Sequence, residues 1–108
     1  MADFSSTLQM GEGVAKITLK GELDASSAEQ FRATIEEASA QHPKRVVLFV
    51  HDLSFMASAG LRVLVFAKQK MGADVAVYMI GCQEPVLSTL QMSGFHQSVY
   101  IQDTYTDE

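Results

Sequence analysis

Val46-Val-Leu-Phe-Val50 is the stretch that most limits what this chain can fold into. Five apolar residues in a row do not alternate between a wet face and a dry one. A strand of that kind is covered on both sides, as the strands of a parallel sheet are. Parallel neighbours cannot be joined by a tight turn and need a crossover, which a helix normally supplies. The segments on either side of the run have helical patterns, so the chain reads as an α/β protein.

Taken in order, Phe4 to Gln9 and Val14 to Lys20 flank Gly11-Glu-Gly13. In the second segment Val14, Lys16, Thr18 and Lys20 alternate with Ala15, Ile17 and Leu19. That pattern predicts a half-buried strand, and the glycines predict an antiparallel hairpin. Gly21-Glu-Leu-Asp24 leaves the second strand. Ser26-x-x-Glu29 reads as a capping box. Ala28, Phe31, Ile35 and Ala38 then mark one face of a helix, which Gln41-His-Pro43 ends. Arg45 to Val50 is the third strand. A second helix runs from about Ser58 to Met71 and stops near Gly72. Ala73 to Ile80 is a further strand. Glu84-Pro85 opens a third helix with Val86, Leu87 and Leu90 on its apolar face, and Gly94 suits its end. Ser98 to Ile101 is a short last strand, and Asp103 to Glu108 a frayed tail or helical stub. The order β-β-α-β-α-β-α-β predicts a small mixed, mostly parallel sheet with an N-terminal hairpin and helices packed over it. Residues 1–108 read as a single domain.

Several function classes fall away. The formal net charge is −5, which argues against nucleic acid and against a polybasic membrane anchor. No apolar stretch has the length of a membrane span, and Met1-Ala-Asp-Phe4 lacks the features of a secretory signal, so the expected location is the cytoplasm. There is no GxxxxGK[ST] loop, and Gly11-Glu-Gly13 lacks the third glycine of a dinucleotide site. No His/Cys cluster has metal-ligand spacing, so no cofactor is expected. The one cysteine, Cys82, rules out an intrachain disulfide. Cys82 with His51 or His96 could form a nucleophilic pair, against the plainer reading of a small apolar residue beside a turn. No catalytic residue is assigned.

The stretch from Ser54 to Leu64 sits where a strand end becomes a helix start. A serine at position 58 can cap that helix, because first-turn N–H groups lack intrahelical partners. The same groups and the helix dipole favour an anion, so a phosphate on Ser58 would sit at a prepared position. Gly60 is either a close-packing point or a bare backbone that lets a partner approach. Asp24 either ends a strand and caps the first helix or faces a partner. The methionines read mostly as core filler, and Met56 is either that or a residue exposed at the helix corner, where a flexible thioether suits an interface.

Phe55-Met-Ala-Ser58-Ala-Gly60-Leu-Arg-Val-Leu64, with Gly21-Glu-Leu-Asp24 upstream, resembles the bacterial STAS domain, in particular the anti-sigma factor antagonists. The resemblance spans roughly Thr7 to Ile101. It implies a regulated binding module and not an enzyme. In that family the serine matching Ser58 is a phosphorylation site, and the aspartate matching Asp24 lies near it. The implied partner surface is Asp24, Met56, Ala57, Ser58, Ala59, Gly60 and Arg62. The implied partners are an anti-sigma factor that is also a serine kinase of the histidine-kinase-like ATPase type, and a PPM-type phosphatase. The free protein is expected to be a monomer. Two positions depart from the family pattern and would take polar groups from around Ser58: Ala57 stands where an acidic residue is common, and Phe49 where Asp or Asn is. These departures keep open an unphosphorylated adaptor subunit of a transport or signalling complex.

Overall fold

The computed structural model describes residues 4–105. Its sheet has five strands in the order of the chain: β1 (Ser5–Gly11), β2 (Val14–Leu23), β3 (Arg45–Met56), β4 (Ala76–Ile80) and β5 (Tyr100–Gln102). β1 and β2 are antiparallel, and every later pair is parallel. Helices α1 (Ala28–Ser39), α2 (Ser58–Met71) and α3 (Glu84–Ser93) make the three crossovers. Each crossover steps one strand in the same direction, so right-handed connections bring all three helices to one face. The mixed sheet expected from the sequence is therefore present, with its N-terminal hairpin. Glu12 and Gly13, at φ 54° and 78°, form the two central residues of that turn. Positive φ at both positions matches the right-handed twist of the strands.

The main core lies between sheet and helices. Ala15, Ile17, Leu19 and Leu23 from β2, Leu48 and Val50 from β3, and Met79 from β4 are fully buried there with Phe31, Ile35 and Leu90. On the other face Val14, Val47 and Ile80 are buried beneath Phe49, Tyr78 and Tyr105. Arg45 Nη1 donates to the Tyr105 hydroxyl at 2.6 Å, which ties the end of the described chain to this face.

Four expectations are corrected. β3 does not stop at Val50 but continues six residues to Met56. Its register against β2 slips twice, each time by an extra residue in β3, so that buried Val50, Leu53 and Met56 fall three apart. Bulges of this kind break the strict alternation that marks a strand. β2 likewise continues through Gly21 to Leu23. The capping box is not Ser26 with Glu29. Asp24 Oδ1 accepts from the Ser27 N–H at 3.1 Å and Ser27 Oγ accepts from the Asp24 N–H at 2.9 Å. The two bonds close the turn between β2 and α1, and Ser27, the N-cap of α1, makes no side-chain capping bond. The last strand starts at Tyr100, because a short 3-10 turn (Phe95–Gln97) follows Gly94. In the tail, residues 103–105 form no regular element, and the remainder lies outside the described residues.

Candidate functional site

β2 and β3 run side by side and end together, with Leu23 opposite Met56. The Ala57 N–H donates to the Leu23 carbonyl at 2.8 Å and carries the ladder one residue further. Asp24 and Ser58 thus leave adjacent strand ends. The Met56 carbonyl accepts from the Thr89 hydroxyl at 3.0 Å, so α3 holds the same corner from the other side.

Ala57 is the N-cap of α2, extended at φ −83° and ψ 169°, and no side chain caps this helix. Ser58 is the first helical residue and is exposed. The expectation that Ser58 caps α2 is therefore corrected. A capping side chain must come from the residue before the first turn, and here that residue is alanine. The Gly60 and Leu61 N–H groups both donate to the Ala57 carbonyl, at 3.0 and 3.1 Å. Those of Ser58 and Ala59 come before the helical ladder, at the positive end of the dipole. The Ser58 hydroxyl stands at this end, open to solvent.

Gly60 is buried, and a Cβ there would lie 2.5 Å from Leu23 Cγ and 2.6 Å from Leu23 Cδ2. Its bare Cα lets α2 settle on the end of β2. The close-packing reading is the one the geometry carries, because the missing side chain would point inward. Met56 is 1% exposed and belongs to the core, which corrects its placement at an exposed corner. The second slip in β3 turns Met56 inward and its neighbour Phe55 outward, 43% exposed. Phe55 is the surface residue that sequence reasoning missed. Its signal was faint, since only the unseen bulge decides which of two adjacent apolar residues is buried. Arg62 is exposed, and Ala57 and Ala59 are half-buried.

Asp24 has the structural role on its Oδ1 atom. That oxygen accepts from the Ser26 hydroxyl at 2.8 Å, the Ser26 N–H at 3.0 Å, and the Ser27 hydroxyl and N–H, both at 3.1 Å. The Ser26 hydroxyl, then the two Ser27 donors, hold its carboxyl below the usual aspartate range. It remains ionised beside the strand end from which Ser58 departs.

Phe49 does not adjoin Ser58. It lies on the face of the sheet away from the helices, edge-on to Tyr105 with ring centres 6.4 Å apart. Phe49 points to that side because it follows inward-facing Leu48 on a regular part of β3. Ala57 is left as the local departure. Cys82 is half-buried, and burial pushes its thiol up to about 11, opposite to the shift a nucleophilic cysteine needs. The His51 ring rests on Gly81 and is exposed, and no hydrogen bond joins it to Cys82 among the described residues. Among those residues no three of His, Cys, Asp and Glu gather into a metal site, and no helix is long and apolar enough to cross a membrane.

Known proteins resemble this chain in sequence and fold. The chain is 24% identical over 95 residues to the anti-sigma-F factor antagonist RsfB of Mycobacterium tuberculosis, across 88% of this chain and 78% of that one. The structure of SpoIIAA, an anti-sigma factor antagonist, in its unphosphorylated form superposes with a TM-score of 0.77 at 26% identity, covering 90% of this chain and 87% of SpoIIAA. SpoIIAA, a Bacillus cell fate determinant, is also solved in a phosphorylated form, which gives 0.69 at 25% identity and 90% coverage of both chains. A Mycobacterium paratuberculosis anti-sigma factor antagonist shares the fold at 0.86, with 19% identity over 94% of this chain and 87% of its own. The STAS domain model matches residues 6–108, and the chain belongs to the STAS domain family.

Proposed function

We propose that this protein is an anti-sigma factor antagonist that works by partner switching, with Ser58 as its phosphoacceptor. It is a regulatory binding protein and not an enzyme. The observation that carries the reading is the Ser58 hydroxyl, exposed on the first turn of α2 above a corner fixed by Ala57–Leu23 and Thr89–Met56 bonds. Support comes from the relatives: RsfB and SpoIIAA are named as antagonists of anti-sigma factors, and SpoIIAA exists in phosphorylated and unphosphorylated forms.

In this reading the whole chain, 1–108, acts as one STAS domain in the cytoplasm and is a monomer when free. The unphosphorylated form binds an anti-sigma factor through Asp24, Phe55, Ala57, Ser58, Ala59 and Arg62, and the client is released. The anti-sigma factor is a histidine-kinase-like ATPase. The Ser58 oxygen forms a bond to the γ-phosphorus of ATP, the bond from that phosphorus to ADP breaks, and the serine proton passes to a base of the kinase. A PPM-type phosphatase hydrolyses the ester and resets the cycle. Phosphate adds roughly −1.5 to −2 charges to a surface the partner must dehydrate, and this weakens the complex.

The test is intact mass with site mapping after co-expression with candidate kinases, with and without phosphatase, and partner titration of Ser58→Ala and Ser58→Asp. The expected result is one phosphate on Ser58, removed by phosphatase, with Ser58→Ala binding and Ser58→Asp binding poorly. Equal affinities for the two variants refute the switch. A stable complex that carries no phosphate favours the adaptor reading, which the alanine at position 57 supports.

A further inference from the structure

α2 contains three cations and no acidic residue. Two of the cations have partners in the structure. Lys68 Nζ donates to the Val75 carbonyl at 3.4 Å, and Lys70 Nζ lies 5.9 Å from the centre of the Phe66 ring, over which Arg32 of α1 also sits at 4.0 Å. Arg62 has no such partner among the described residues and is exposed. It stands four residues after Ser58, so the two side chains share one face of the helix, with Cβ atoms about 5–6 Å apart. A long helical side chain sweeps back over the turn before its own Cα. For Arg62 that turn is the one that begins at Ser58.

We infer that Arg62 is the internal clamp for a phosphate on Ser58. The guanidinium offers a planar fork of donors that matches phosphate oxygens. Phosphorylation then acts twice: it adds a dianion to the partner surface, and it withdraws the arginine that the unphosphorylated form presents there. The inference rests on the phosphoacceptor reading of Ser58 and supplies its regulation. Asp24, ionised at the adjoining strand end, opposes the phosphate charge and is the same in every variant compared below.

The test installs phosphoserine at position 58 of the full chain during translation, so it depends on no kinase. The phosphate is titrated by phosphorus NMR in the otherwise wild-type protein and with Arg62→Ala, Arg62→Lys or Lys68→Ala. Arg62→Ala is expected to raise the second phosphate pKa by about 0.2–0.4 unit, back toward its usual value near 6. Arg62→Lys should fall between, and about 1 M salt should shrink the difference. Superimposable curves for wild type and Arg62→Ala overturn the clamp. So does an equal shift with Lys68→Ala, which would mean a general field and not a pairing. If phosphate pKa responds to Arg62 but kinases leave Ser58 unmodified in the mass experiment, the clamp chemistry stands and the phosphoacceptor reading fails. The two failures are thus separable.

Discussion

Gly60→Ala tests the packing on which the Ser58 corner depends. In an uncrowded helix this substitution stabilises, by up to about 1 kcal/mol, because alanine loses less backbone entropy than glycine. Here the new methyl would lie 2.5 Å from Leu23 Cγ. Ordinary carbon contacts are about 3.5–4.0 Å, so roughly an ångström of overlap has to be relieved. Leu23 is fully buried and its Cγ is close to the backbone, so the side chain cannot swing clear. Either α2 lifts or β2 yields at its end. Overpacking of this kind costs about 1–3 kcal/mol. Set against a propensity gain reduced by the first-turn position, the net loss is about 1–2 kcal/mol. For a chain of this size that lowers Tm by roughly 5–10 °C. Urea unfolding measures it directly, as a lower midpoint with an unchanged slope. The sign decides the matter: a variant as stable as wild type, or more so, refutes the contact between Gly60 and Leu23.

Met56→Ala should cost about 2–5 kcal/mol as a core truncation, whereas Phe55→Ala should cost under about 1 kcal/mol yet weaken partner binding. Urea midpoints and partner titration give both, and the opposite pattern would restore Met56 to the surface. Asp24→Asn removes a carboxylate whose folded pKa is lowered, so the wild-type advantage is complete above the unfolded value of about 3.9 and disappears as pH falls through the folded one. The gap between the two midpoints should begin to close as pH falls below about 3.9 and vanish below the lowered folded pKa. A gap that stays constant to pH 2 counts against the Asp24 turn.

The crossovers were legible because their signals are local. The unbroken run at Val46 to Val50, the alternation in Ala15, Ile17 and Leu19, and the helical spacing of Phe31, Ile35 and Ala38 each state which faces are dry, and all are buried as expected except Phe49, which is half-buried. The end of β3 was illegible for a definite reason. Two extra residues convert an alternation of two into a spacing of three at Val50, Leu53 and Met56, and no period rule separates that from a loop. The faces of Phe55 and Met56 depend on the same slips, so the site's surface could not be drawn from sequence. The α1 entry was misplaced because Asp24, Ser26 and Ser27 are all capping residues. The choice among them follows from where β2 ends, at Leu23, and that is a tertiary fact.

The corner's own bonds limit how a modification there can act. Ala57 is hydrogen-bonded across to Leu23, Met56 is held by Thr89, and Gly60 sits against the Leu23 side chain. Asp24 Oδ1 is fully engaged in its own turn. The Ala57 N–H is thus pinned by β2 and the Met56 carbonyl by α3, while no hydrogen bond among the described residues holds the Ser58 hydroxyl. A phosphate added at this hydroxyl meets solvent, two unladdered N–H groups and Arg62 one turn on. None of these lets it push α2 off Leu23, and the helix end already favours negative charge. Under the proposed switch, the signal is therefore a change in surface charge on an unmoved scaffold. The partner reads it through the cost of dehydrating that charge, and no second conformation of this protein is required.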